Sequence, residues 1–221
     1  YFSQSAKVDG LKKRWFGHCD DRNSGLSRSF SAATIQFLER TGFPIHHYHE
    51  GNQHGETFGA RIANAFEEIF NKGYDAVVAV GNDSPGLQKV DFEQVTHELA
   101  VGNCVLGPSL RGGTYLIGLT KSSFRKLQFE GLPWQSRHLF TSLNKIIVHA
   151  KNNVVRLAAL RDINSFHDVL AQIKKGDIVG WLLRFLIFLI DYLHLRCITS
   201  PPLTVTPILE KNQLRGPPYL P

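Results

Sequence analysis

The residue best placed to do chemistry is Asp83. It sits in the turn cluster Asn82-Asp-Ser-Pro-Gly86, directly after the near-continuous apolar run Tyr74-Asp-Ala-Val-Val-Ala-Val-Gly81. Such a run reads as a strand buried on both faces of a sheet. Open α/β sheets bind ligands at the carboxyl ends of their strands. A carboxylate there can hold a divalent cation, which bridges and neutralises a diphosphate. Pro85 and Gly86 turn the chain sharply and leave the carboxylate exposed. An Asx turn, with Asp83 merely capping the bend at Pro85 and Gly86, explains the same residues.

Three other groups invite a chemical reading. Gly107-Pro-Ser-Leu-Arg-Gly-Gly113 places paired glycines between two strands, which permits close backbone approach to a ligand or simply a tight connection. Lys12-Lys13-Arg14 follows Gly10 in a polar stretch. Its side chains and free backbone amides could hold phosphates, or the three residues form a solvated charge run. His46-His47-Tyr48-His49, with His54 nearby, suggests zinc. A closed zinc site needs four ligands, and no partner pair with metal spacing is present, so these histidines read as structural. No Gly-x-Ser-x-Gly elbow, Walker-type loop or His-Glu-x-x-His is present.

The elements that must position these groups alternate. Tyr1 to Ser5 resembles the end of a strand, and Lys7 to Arg14 a polar connection. Helical spacing runs over Ser27 to Arg40 and Thr57 to Phe70, with a short strand-like piece at Ile45 to His49 between them. After the buried strand, Asp91 caps a helix to Leu99. Strands are expected at Cys104 to Gly107 and Thr114 to Leu119. Helices are expected at Ser122 to Phe129, Ser136 to Ala150 and Ser165 to Lys175, with a strand at Val154 to Leu160. Alternation of this kind predicts an α/β domain with a mainly parallel central sheet. The apolar stretch Ile178 to Leu195 is about the length of a membrane span. Arg184 and Asp191 interrupt it at about 3 kcal/mol each on insertion scales, so it reads as a buried or dimer-forming helix, not a span. The tail from Ser200 is Pro-rich and extended in expectation.

Composition sets the class. The chain has 221 residues, of which 43% are hydrophobic and 20% charged. That suits one sizeable domain with an appendage and excludes wholesale disorder. Three scattered cysteines exclude a disulfide framework, and with no visible secretory signal they place the protein in the cytoplasm. The net charge of +6 suits phosphate-bearing partners. It is spread out and makes no polybasic tract, so nucleic acid is not an expected partner. The chain has no methionine and opens on the strand-like Tyr-Phe-Ser. Residues are therefore expected to be missing from it, which an intact mass above that of the 221 residues would bear out.

Three stretches in order resemble a bacterial family of nucleotide-diphospho-sugar transferase-like proteins. They are Gln53-His-Gly-Glu-Thr-Phe-Gly-Ala-Arg-Ile-Ala-Asn-Ala-Phe66, Gly73 to Leu87, and Val105-Leu-Gly-Pro-Ser-Leu-Arg-Gly-Gly-Thr-Tyr-Leu-Ile-Gly-Leu119. Leu132-Pro-Trp134, Thr141 and Leu160-Arg-Asp-Ile163 also match. The resemblance covers roughly residues 1–170 and leaves 171–221 as an apolar helix and tail, dimer-forming in one reading. It implies a Rossmann-like GT-A fold and a metal-dependent transferase that uses a nucleotide-sugar on an unspecified acceptor. Nucleotidyl transfer, or nucleotide binding without turnover, are the alternatives. It implies Mg2+ or Mn2+ on Asp83, with Asp162 as a second contact. It implies a nucleotide-binding set of Lys12, Lys13, Arg14, Gln53, Gly55, Arg61, Asn82, Arg111, Gly112 and Gly113. Relatives usually carry an aspartate where Arg111 stands. That exchange either weakens metal binding or supplies the positive charge directly. The first loop also lacks the family's proline-containing pattern.

Overall fold

The computed structural model describes residues 1–199. Its first compact unit is Tyr1–Arg184 and its second Phe185–Pro221. In the first unit the order is α1 (Ala6–Lys13), α2 (Asp20–Glu39), α3 (Phe58–Asn71), β1 (Ala76–Val80), a 3₁₀ turn (Pro85–Lys89), α4 (Phe92–Ala100), β2 (Cys104–Pro108), β3 (Thr114–Thr120), α5 (Lys126–Glu130), α6 (Leu139–His149), β4 (Val154–Arg156) and α7 (Phe166–Lys175). A last helix, α8 (Gly180–Thr199), begins in this unit and supplies the described part of the second. No helix among the described residues is long and apolar enough to cross a membrane. The Pro-rich tail from Ser200 lies outside the described residues.

The sheet order is β1-β3-β2-β4. The α/β class stands, but the expectation of a mainly parallel sheet is corrected: the sheet is mixed. β3 runs antiparallel to both β1 and β2, and only β2 and β4 pair in parallel. The reason lies in the connection between β2 and β3. Ser109 N–H donates to the Gly113 carbonyl at 2.9 Å, closing a tight turn. A parallel return needs a crossover of a dozen residues or more, so a turn this short permits only an antiparallel one. The N-terminal segment joins beside β1: Phe2 N–H donates to the Val80 carbonyl at 3.0 Å, and Phe2 bridges Tyr48 in parallel.

Side chains alternate across each strand, and both faces are covered. Val77, Leu106, Ile117 and Leu119 pack with Phe66 and Phe70 of α3 and with Phe129, Leu143 and Ile147. Val80, Val105 and Leu116 pack on the other face with Leu38 of α2 and with Val95 and Leu99 of α4. Helices cover both faces, which is why β1 reads as an unbroken apolar run.

The expected caps form. Asp91 Oδ1 accepts from the Glu93 and Gln94 amides at 2.9 and 3.1 Å, and Ser165 with Asp168 closes a capping box on α7. The stretch expected as a polar connection is instead helix α1. Ser5 caps its start, and it lies against α2. Gly10 makes that contact possible: an added Cβ would stand 2.7 Å from the backbone of Asn23 and Ser24.

Candidate functional site

The turn after β1 is held from both sides. Asn82 Nδ2 donates to Ser31 Oγ of α2 at 3.0 Å. The Asp83 carbonyl accepts from Ile163 N–H at 2.7 Å, and Ser84 Oγ donates to Asp162 Oδ1 at 2.9 Å. These two bonds clasp the turn to the segment after β4. That segment is itself tied to the end of β2, since Leu160 N–H donates to the Pro108 carbonyl and Leu110 N–H to the Leu160 carbonyl. Asp83 and Asp162, distant in sequence, thus come together where β1 ends.

The pair is electrostatically tense. Burial raises the Asp162 carboxyl above its ordinary range, and the Asp83 charge pushes the same way, against hydrogen bonds from Ser109 and Ser84. One cation answers them. Lys13 Nζ donates to Asp83 Oδ2 at 3.3 Å and lies 3.6 Å from Asp9 Oδ1. Burial alone would lower the Lys13 ammonium, but the Asp83 and Asp9 carboxylates outweigh it and raise it. The other Asp9 oxygen accepts from Ser27 Oγ of α2 at 2.7 Å.

These residues line a cleft of about 630 Å³. Phe2, Phe58, Ile62 and Trp134 give it an apolar side, and Lys12 and Arg137 add positive charge. Of the expected site residues, Lys12, Lys13, Asn82, Asp83, Arg111, Gly113 and Asp162 line it. The others stand behind it. Arg14 takes the left-handed conformation that ends α1, with Nε on the Leu11 carbonyl at 3.2 Å. Gln53 Nε2 donates to the Ser3 and Tyr48 carbonyls at 2.8 and 3.2 Å. Arg61 Nη1 reaches the Gly55 and Glu56 carbonyls at 3.5 and 3.2 Å, bracing the entry to α3. Gly112, at φ 85°, packs so closely on Arg137 that an added Cβ would strike its carbonyl.

Arg111 reaches the cleft but is committed elsewhere. Its Nη2 donates to both Asp168 oxygens at 3.0 Å, and Nη1 to the Asp162 carbonyl at 3.2 Å. Asp168 is 1% exposed. Burial alone would raise its carboxyl, but hydrogen bonds from Ser165, Arg111 and the Asn164 amide hold it below the ordinary range. The cation at position 111 is therefore a strut between the β2–β3 turn, Asp162 and α7.

The histidines are engaged as well. His47 Nε2 lies 3.0 Å from Ser3 Oγ, His46 Nε2 3.3 Å from Tyr74 Oη, and His49 Nδ1 accepts from the Gly51 amide. Sequence reading missed Asp9, whose only signal was its spacing of four from Lys13. It also missed Gln135 and Arg137, which come just after the Trp134 it had noted.

Among the described residues, no group of three or more His, Cys, Asp or Glu could hold a metal ion. Mg2+, however, commonly takes one or two carboxylates and completes its shell with substrate phosphates and water. Asp83 and Asp162 are two carboxylates of that kind, held at one end of the cleft.

Residues 33–136 match the profile of a bacterial family described as "uncharacterized protein conserved in bacteria (DUF2064)". That span holds Asp83 and Arg111 and excludes Lys13 and Asp162. A crystal structure of a putative nucleotide-diphospho-sugar transferase from Desulfovibrio desulfuricans G20 superposes with a TM-score of 0.73 at 22% identity, over 88% of this chain and 95% of that one. The resemblance holds: the chain is nucleotide-diphospho-sugar transferase-like in fold. No curated protein matches it. In this α/β fold the cleft lies where open α/β sheets bind ligands, at the carboxyl end of β1.

Proposed function

We propose that the protein binds a nucleotide-sugar in this cleft and transfers the glycosyl group to an acceptor. The observation that carries the reading is the clasp that sets Asp83 beside Asp162, with Lys13 on Asp83, at the end of β1. Asp83 and Asp162 would hold Mg2+ or Mn2+, which supplies neutralisation of the leaving diphosphate. Lys12 is exposed and has no recorded partner among the described residues, so it is free to take a phosphate oxygen. Phe2, Phe58 and Trp134 give the apolar side against which a base or sugar ring can pack. The acceptor hydroxyl oxygen bonds to the anomeric carbon as that carbon's bond to the diphosphate breaks; the nucleoside diphosphate leaves with the electron pair, and the hydroxyl proton passes to water.

The commitment of Arg111 to Asp168 bears on binding without turnover. Arg111 is engaged by Asp168 and the Asp162 carbonyl, and among the described residues no hydrogen bond or ion pair joins it to Asp83. The test is a thermal-shift screen of UDP, GDP, CDP, CTP, GTP and the nucleotide-sugars with and without Mn2+, followed by product analysis. Released nucleoside diphosphate supports glycosyl transfer. Released pyrophosphate from a nucleoside triphosphate would replace it with nucleotidyl transfer, and no shift with any nucleotide would end both.

A further inference from the structure

Lys13 poses a problem for any ion that enters this cleft. Its ammonium sits 3.3 Å from Asp83 Oδ2, on a carboxylate that the ion would need. The side chain is only 13% exposed, so the contact is built in and is not a loose surface pairing. No other recorded cation neutralises Asp83 among the described residues. Arg111 is bound to Asp168 and the Asp162 carbonyl, and Lys12 is exposed and makes no contact with Asp83. An ammonium and a divalent ion repel, so a lysine on this carboxylate disfavours an ion on it.

Lys13 also has a second anchor. Asp9 Oδ1 lies 3.6 Å away one helical turn earlier, and Asp9 is fixed through its other oxygen to Ser27 Oγ. If Asp83 were taken by an ion, the lysine would keep Asp9 and could swing its flexible stem toward the cleft, which it already lines. A diphosphate there would accept it.

We propose that Lys13 is a resident counter-ion that couples metal to diphosphate binding. In the free protein it neutralises Asp83 and so opposes a lone divalent ion. When a nucleoside diphosphate arrives, Lys13 passes to the phosphates and Asp83 passes to the ion. Each ligand therefore raises the other's affinity by the same factor, as linkage requires. This inference rests on the nucleotide-sugar reading for its second ligand, while the opposition between Lys13 and a lone ion does not.

The experiment is calorimetric titration of Mn2+ alone, of UDP, GDP and CDP alone, and of each in the presence of the other. It uses the wild type, Lys13→Met, Lys13→Arg, Asp9→Asn and Asp83→Asn, with circular dichroism to check folding. In the wild type, a diphosphate that binds tightens Mn2+ about 10-fold, which is about 1.4 kcal/mol of coupling. Lys13→Met binds Mn2+ alone about 10-fold more tightly than the wild type, binds diphosphate alone more weakly, and loses most of the coupling, because the charge opposing the ion is gone. Lys13→Arg keeps Mn2+ alone weak. Asp9→Asn, which leaves the whole lysine charge to Asp83, weakens Mn2+ alone by about 3-fold and serves if Lys13→Met does not fold. Mn2+ binding alone that is unchanged or weaker in folded Lys13→Met would overturn the proposal, as would Mn2+ binding that survives Asp83→Asn unchanged. If no diphosphate binds any variant, the nucleotide-sugar reading and the coupling fail together, while the Mn2+ titrations still decide whether Lys13 opposes the ion.

Discussion

Two hollows flank β1, and the larger one carries less chemistry. The cleft at its carboxyl end measures about 630 Å³ and gathers Asp9, Lys12, Lys13, Asp83, Arg111 and Asp162. The groove along its length measures about 960 Å³ and is lined chiefly by apolar residues, among them Leu38, Phe43, Ile45, Val78, Phe92 and Leu99. The groove's charged residues do not converge: Lys121 Nζ donates to the Phe70 carbonyl at 3.2 Å, and His46 stacks edge-on with Tyr74. Volume would select the groove. The convergence of opposed charges, with a carboxyl pushed off its ordinary range, selects the cleft. A hollow that binds an anion and a cation together must hold opposed charges side by side, and the cleft does so with Lys13 between Asp9 and Asp83.

The comparison can be broken first at what the two hollows share. Phe66 is 2% exposed; it stacks on Phe124 and meets Phe70 at a tilt and Phe129 edge-on. Phe66→Ala should cost about 4 kcal/mol in chemical denaturation. A loss below about 1 kcal/mol would mean that this layer does not hold the strand beneath both hollows.

A smaller effect belongs to the strut behind the cleft. The Asp168 carboxyl is held below the ordinary carboxylate range, so its stabilising contribution is complete above that range, near pH 4 and higher. It is lost as pH falls through the lowered value. Asp168→Asn should remove about 2 kcal/mol near neutral pH and flatten the acid limb of stability against pH. An unchanged acid limb would contradict the assignment.

Next comes the cationic rim. Lys12→Ala and Arg137→Ala should each weaken nucleoside diphosphate binding by about 5-fold while leaving the melting temperature within a degree or so, since both are exposed. Binding as tight as the wild type's in both variants would take the phosphates off this side of the cleft. The smallest effect belongs to the groove. Phe43 is 47% exposed. Phe43→Ser should change stability by less than about 0.5 kcal/mol and nucleotide binding not at all. A loss of nucleotide binding there would reverse the comparison.

Much of the fold was legible because local chemistry and tertiary structure agree. Asp91 and Ser165 cap the helices they precede, and the apolar run at β1 marks a strand covered on both faces. Helix α1 was not legible. Gly10 and four basic residues argue for a connection, and only packing on α2 makes a helix of them. The direction of β3 was legible in principle, since the short Ser109–Gly113 turn allows one answer, but strand–helix alternation outweighed it. At the site, residue types pointed to Asp83, and the resemblance added Asp162. Neither could show the Ser84 and Ile163 bonds that bring the two together. Nor could they show that Arg111 has a buried partner in Asp168 or that Lys13 rests on Asp83, because both pairings cross long stretches of chain.

The most direct test of the central claim is calorimetric titration of UDP, GDP and CDP with Mn2+ against the wild type and Asp83→Ala. The account predicts that at least one nucleotide binds the wild type in a Mn2+-dependent way, and that in Asp83→Ala the metal dependence is lost while the protein stays folded. Binding that ignores Mn2+ in both proteins, or Mn2+-dependent binding of equal strength in Asp83→Ala, would contradict it.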